Sequence, residues 1–175
     1  VHRDNGLAYL DTVLPQLLGP GFREEDFRRL KDAQKNALAQ DLIANNEEEL
    51  GKERLQAVVF AGTPYAHPAL GTLAGIEAIT LDDVKAFYKT HFTRDNAVVA
   101  LGGGYDPQLV QRFQAAVATL PAGRPAAVPA PAAPPLQGRQ VLLVAKPGAD
   151  ASISFGFPLG VHRGDKDFYA LWIAN

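Results

Sequence analysis

The sequence predicts an α+β chain, and three observations carry that reading. Apolar residues recur at helical spacing in several separate runs. Short apolar or alternating runs at 96–101, 141–144 and 153–157 read as strands. A proline-rich break at 121–137 separates the first of these strands from the other two. Taking the elements in order, Leu7, Leu10, Leu14, Leu17 and Leu18 share one face of a first helix over 7–18. Pro15 is expected to kink it and Gly19-Pro20-Gly21 to end it. A second helix opens near Arg23, where Glu24, Glu25 and Asp26 suit the positive helix end, and Phe27, Leu30, Ala37 and Leu38 form its buried stripe. Asn45-Asn46 breaks it. A third helix follows from Glu47 to about Ala61, with Leu50, Ala57, Val58 and Ala61 on one face, and Gly62-Thr63-Pro64 stops it.

Residues 62–79 read as loop and short turns. Thr80-Leu81-Asp82-Asp83 has the form of a capping box, an acid three residues after a threonine, and Val84, Phe87, Tyr88 and His91 follow at helical spacing. Asn96 to Leu101 is the first strand, and Gly102-Gly103-Gly104 turns the chain. Asp106 as cap and Pro107 at the first position open another helix, which buries Leu109, Phe113, Ala116, Val117 and Leu120. Between 121 and 137 six residues are proline, six are alanine and Arg124 alone is charged, the composition of an extended, semi-rigid linker. Val141-Leu142-Leu143-Val144 and the alternating Ile153, Phe155 and Phe157 supply two further strands, and a last helix starts near Asp165.

Composition excludes several classes. The 175 residues include no cysteine, so there is neither a disulfide frame nor a thiolate metal site. The formal charge of −2 is mixed along the chain, and no basic stripe or stacking platform points to nucleic acid. No run reaches the ~18 apolar residues of a membrane span. With no methionine, Val1 is not a translation start, so a processed or trimmed chain is expected, any signal peptide lying upstream. The compartment is not legible, a periplasmic or secreted setting being preferred to a cytoplasmic one.

Local chemistry is sparse. His2, His67, His91 and His162 include no pair at the spacing of a helical metal site. Ser152 and Ser154 lie on one side of a strand candidate without a nucleophile-elbow context, so ordinary strand polarity accounts for them. The triple glycine lacks a following G-K-[ST], and Asp106 at the helix entrance would repel a phosphate; a tight turn is the better account. Glu47-Glu48-Glu49 reads as a solvated cluster at a helix start, with Glu48 able to pair with Lys52.

The order of these pieces resembles the M16 zinc metallopeptidases, the pitrilysin, insulinase and mitochondrial processing peptidase-like family. The likeness rests on Pro64-Tyr65-Ala66-His67-Pro68 with Gly71 after it, Ile79-Thr80-Leu81-Asp82-Asp83-Val84, Phe87-Tyr88, and Thr93-Arg94-Asp95-Asn96-Ala97-Val98-Val99 leading to Asp106-Pro107. It is best over about residues 5–120. The resemblance implies a mostly antiparallel sheet with helices packed on one face. In that scheme 1–120 is the C-terminal part of a first domain, 121–138 a Pro/Ala-rich linker and 139–175 the truncated start of a second. It also implies a zinc-dependent endopeptidase that takes peptides or unfolded segments into a chamber, with a homologous subunit or dimer as a possible arrangement and a non-catalytic scaffold subunit as the alternative.

The family's zinc motif, H-x-x-E-H, does not occur in residues 1–175, so this chain by itself is expected to be inactive, and zinc is expected only in a parent carrying the motif upstream. The family's further glutamate ligand falls near Ala37 when counted forward from Gly19 and near Glu47 when counted back from Leu55. Glu47 is therefore the candidate metal ligand, and the two counts stay unreconciled.

Overall fold

The computed structural model describes residues 1–124, 127, 138–148 and 150–175. Its elements are helical: α1 (Gly6–Leu18), α2 (Glu24–Asn36) running into a π-helical stretch (Ala37–Ala44), α3 (Glu47–Val59), α4 (Leu73–Ala78), α5 (Leu81–His91), α6 (Pro107–Ala118) and α7 (Phe168–Ala174), with short 3₁₀ turns at Arg3–Asn5, Pro64–Ala66 and Arg94–Asn96. The chain forms two units, Val1–Asp32 with Glu77–Val128 and Ala33–Ile76 with Pro129–Asn175.

The sheet expected from the sequence is absent among the described residues. The segments 96–101, 141–144 and 153–157 carry strand-like composition, but no backbone hydrogen bond pairs them with one another. A strand is only half an element: without a neighbour's N–H and C=O groups its alternation has nothing to register against. Their side chains accordingly stand in solvent, with Val98 95%, Leu143 87% and Phe155 88% exposed. The antiparallel-sheet expectation is overturned, and these segments are irregular. The expected linker lies largely outside the described residues.

In the first unit, the leucine stripe of α1 meets the apolar face of α6. Leu10 and Leu14 pack on Leu109 and Ala116, with Leu7, Leu18 and Phe113 around them. Gly6 permits this approach: a Cβ there would lie 3.1 Å from Leu109 Cδ1. α1 runs through Pro15 without interruption and ends at Gly19. The Tyr88 hydroxyl donates to the Leu17 carbonyl at 2.7 Å, and the Tyr88 ring packs edge-on to Phe22 and stacks on Phe92. The capping box forms as expected, Thr80 N–H donating to Asp83 Oδ2 at 2.9 Å and Asp83 N–H to Thr80 Oγ1 at 3.2 Å. Asp106 caps α6, accepting from Gln108 N–H at 2.8 Å. Leu30, expected in a buried stripe, is 57% exposed instead.

In the second unit, Leu38 and Leu42 of the π-helical stretch bury against Ile76, with Leu50 and Leu70 beside them. Four positions apart, the two leucines lie on one face of the helical stretch and so reach one small core. Asn46 then caps α3 by accepting from Glu49 N–H at 3.1 Å. The sequence reading left 62–79 without a helix, yet α4 forms there, and Ile76 is the residue that ties it to the core.

Candidate functional site

Glu47 occupies the first position of α3, where its charge suits the positive helix end. Lys146 takes up its carboxylate. Lys146 Nζ donates to Glu47 Oε1 at 2.7 Å and to the Ala44 carbonyl, the end of the π-helical stretch, also at 2.7 Å. At 18% and 29% side-chain exposure for lysine and glutamate, this ion pair is well shielded from solvent. The Lys146 hydrogen bond, aided by the backbone N–H of Glu47 itself, holds the carboxyl of Glu47 below the usual carboxylate range. One ammonium thus closes an exposed carbonyl of one helix and the first acid of the next, and fixes the stretch around 146 onto α3. Nothing near Glu47 in the sequence signals Lys146; only the fold brings the two together.

The other acids at this helix start behave as the sequence predicts. Lys52 Nζ lies 2.7 Å from both Glu48 and Glu49, which lowers the Glu48 carboxyl and raises the lysine. Ala37 begins the π-helical stretch and offers no ligand atom.

The histidines are scattered. His2 sits beside Asp4 at 3.5 Å, His162 beside Asp165 at 3.6 Å, His91 stacks on Phe87 with ring centroids 4.4 Å apart, and His67 ends a 3₁₀ turn. Among the described residues no three His, Cys, Asp or Glu side chains converge as a metal site would require. A zinc ion does not fit the donor set present: the candidate carboxylate is already neutralised by an ammonium, and no imidazole joins it. Ser154 lies against Gly51 of α3, and Gly103 adopts φ +98°, the turn conformation that glycine alone takes easily.

The first unit holds one feature that the sequence did not flag, an open cavity of about 390 Å³ beside α6. Val99, Leu101, Val110, Phe113 and Val117 wall it, and Arg94 stands at its edge. No helix is long and apolar enough to cross a membrane among the described residues.

The family model of the Peptidase M16 inactive domain matches residues 78–175. This chain belongs to the peptidase M16 family. Across 95% of its length it is 28% identical to an uncharacterized zinc protease of Streptomyces coelicolor, covering 37% of that protein. Over 65% of its length it is 35% identical to a non-peptidase homolog of Helicobacter pylori, covering 26% of it. A 27% identity over 54% of the chain relates it to a probable mitochondrial-processing peptidase subunit beta of Arabidopsis thaliana. The chain therefore spans between a quarter and two-fifths of the first two relatives. No solved structure matches it significantly.

Proposed function

We propose that this chain is a non-catalytic portion of an M16-type zinc endopeptidase that cleaves peptides or unfolded segments. The match of residues 78–175 to the inactive-domain model carries this reading, and similarity to a zinc protease along nearly the whole chain supports it. In this reading 1–120 is the later part of one domain, 121–138 joins it to the next and 139–175 opens that next domain. Zinc belongs to residues outside 1–175. Glu47 is the carboxylate this chain could offer to such a metal, and to do so it would have to exchange Lys146 for the ion.

A second reading, a scaffold subunit that pairs with an active M16 homologue, draws on the similarities to a non-peptidase homolog and to a subunit beta. One experiment separates the two: cleavage of an unstructured peptide by the full-length parent, with zinc and with a chelator, beside residues 1–175 alone. The first reading expects chelator-sensitive cleavage by the parent and none by 1–175. The scaffold reading expects a parent that stays silent until a homologous subunit is added. Cleavage by 1–175 alone, restored by zinc after chelation, overturns both.

A further inference from the structure

Asn5 and Gly6 join the first 3₁₀ turn to α1, and they are the one asparagine–glycine pair in the sequence. Asn5 is exposed and stands at the N-cap of α1 with ψ 2°, yet its side chain makes no capping hydrogen bond. The turn that holds it is short: Asn5 N–H donates to the His2 carbonyl at 3.0 Å, and Gly6 N–H to the Arg3 carbonyl. The other internal asparagines are placed differently. Asn45 donates to the Gln40 carbonyl at 2.8 Å, Asn46 accepts from Glu49 N–H at 3.1 Å, and Asn96 donates to the His91 carbonyl at 3.0 Å. Asn36 lies where α2 continues into the π-helical stretch. Each of these four is followed by a residue with a Cβ, whereas Gly6 leaves its own nitrogen unhindered.

We propose that Asn5 is a covalent modification site, where spontaneous deamidation through a cyclic imide loosens α1 from α6. The Gly6 nitrogen gives up its proton to hydroxide and attacks Asn5 Cγ. The bond from Cγ to the side-chain nitrogen breaks, and that nitrogen leaves as ammonia with a proton from water. Water then opens the five-membered imide at either carbonyl. Attack at Cγ restores the ordinary peptide link and leaves aspartate; attack at the backbone carbonyl leaves isoaspartate, with the chain running through the side chain. Ring closure requires ψ of Asn5 to leave 2° and Gly6 N–H to leave Arg3, an opening that a short, exposed 3₁₀ turn allows at low cost. The two products differ in consequence. Isoaspartate inserts one more main-chain atom just before Gly6, which is buried where α1 meets α6 and where even a Cβ would lie 3.1 Å from Leu109 Cδ1. Aspartate keeps the backbone and adds a negative charge at the start of a helix with no acid in its first turn. The inference rests on this geometry and not on the peptidase reading.

Peptide mapping by mass spectrometry tests it, on residues 1–175 kept folded in warm, mildly alkaline buffer. The amide-to-acid mass gain should appear at Asn5 roughly tenfold or more faster than at Asn36, Asn45, Asn46 or Asn96, with isoaspartate as the larger product. Asn5→Gln, whose side chain would have to close a larger ring, should lack the change and melt with the unmodified chain. The isoaspartyl fraction, separated by ion exchange, should melt at least about 2–4 °C lower, while Asn5→Asp melts at or above the unmodified chain. An Asn5 amide that lasts as long as the other four, or an isoaspartyl fraction that melts with Asn5→Asp, overturns the proposal.

Discussion

The two units solve the same problem differently. In the first, two long amphipathic helices, α1 and α6, bring their stripes together and close a core of leucines. In the second, the core is three buried residues around a π-helical stretch, and the strand-like segment beside α3 turns its largest side chains to solvent. A helix satisfies its own backbone and needs only an apolar face to dock. A strand-like run needs a neighbour for its backbone as well as its side chains, so it stays open when none is present. The contrast is between an apolar stripe that found its counterpart and one that did not.

Substitutions at matched apolar positions test that contrast most strongly. Leu10→Ala, in the closed core, should cost about 2–5 kcal/mol in urea unfolding, since it removes buried methyl groups and leaves a cavity. Ile153→Ser, on the open row, should stay within about 0.5 kcal/mol and improve solubility. Equal costs would end the distinction.

Glycines sharpen it next. A Cβ at Gly123 would fall 2.3 to 2.6 Å from three side-chain atoms of Thr93, a stiff β-branched residue held in place by the Arg94 N–H bond to the Pro121 carbonyl. Gly123→Ala should therefore destabilise by about 1–3 kcal/mol. At Gly51 the nearest obstacle is the Ser154 hydroxyl, which can rotate, so Gly51→Ala should be neutral or gain up to about 1 kcal/mol of helix propensity in thermal unfolding. Among the described residues, the buried hydroxyl of Thr93 finds no hydrogen-bond partner. Thr93→Val should therefore raise stability by about 1 kcal/mol, whereas loss of stability would mean the oxygen has a partner after all.

The smallest expected effect is electrostatic. Folding holds the carboxyl of Glu47 below its ordinary range, so the stabilisation from its pair with Lys146 is complete above about pH 4.5 and fades as the pH falls through the lowered value. Amide protection around Lys146, taken relative to the intrinsic exchange rate at each pH, should fall in that acid window, and Glu47→Gln should show the lower protection already at pH 7. An unchanged exchange profile in the variant would show that the pair does not anchor this stretch.

Much of this was legible beforehand. The limits of α1, the break at Asn45-Asn46, the capping box at Thr80 and the Asp106-Pro107 start all follow from local rules of spacing and capping. The strands were not, because a strand's existence depends on partners elsewhere in the chain, and Val98, Leu143 and Phe155 have none among the described residues. The π-helical turn escaped because it changes register without changing composition. Glu47 could be singled out by the count back from Leu55 that the family resemblance suggests, but its pairing with Lys146 is a long-range contact that no local pattern encodes.

The central proposal is that the described residues form no zinc centre of their own, since no three of their His, Asp and Glu side chains converge. Isothermal titration of the metal-free chain with zinc at pH 7 tests it most directly. The account predicts no stoichiometric binding tighter than about 10 μM, and no change on substituting Glu47→Gln, because no imidazoles converge among the described residues to bind the ion. A 1:1 submicromolar site that Glu47→Gln abolishes would contradict it.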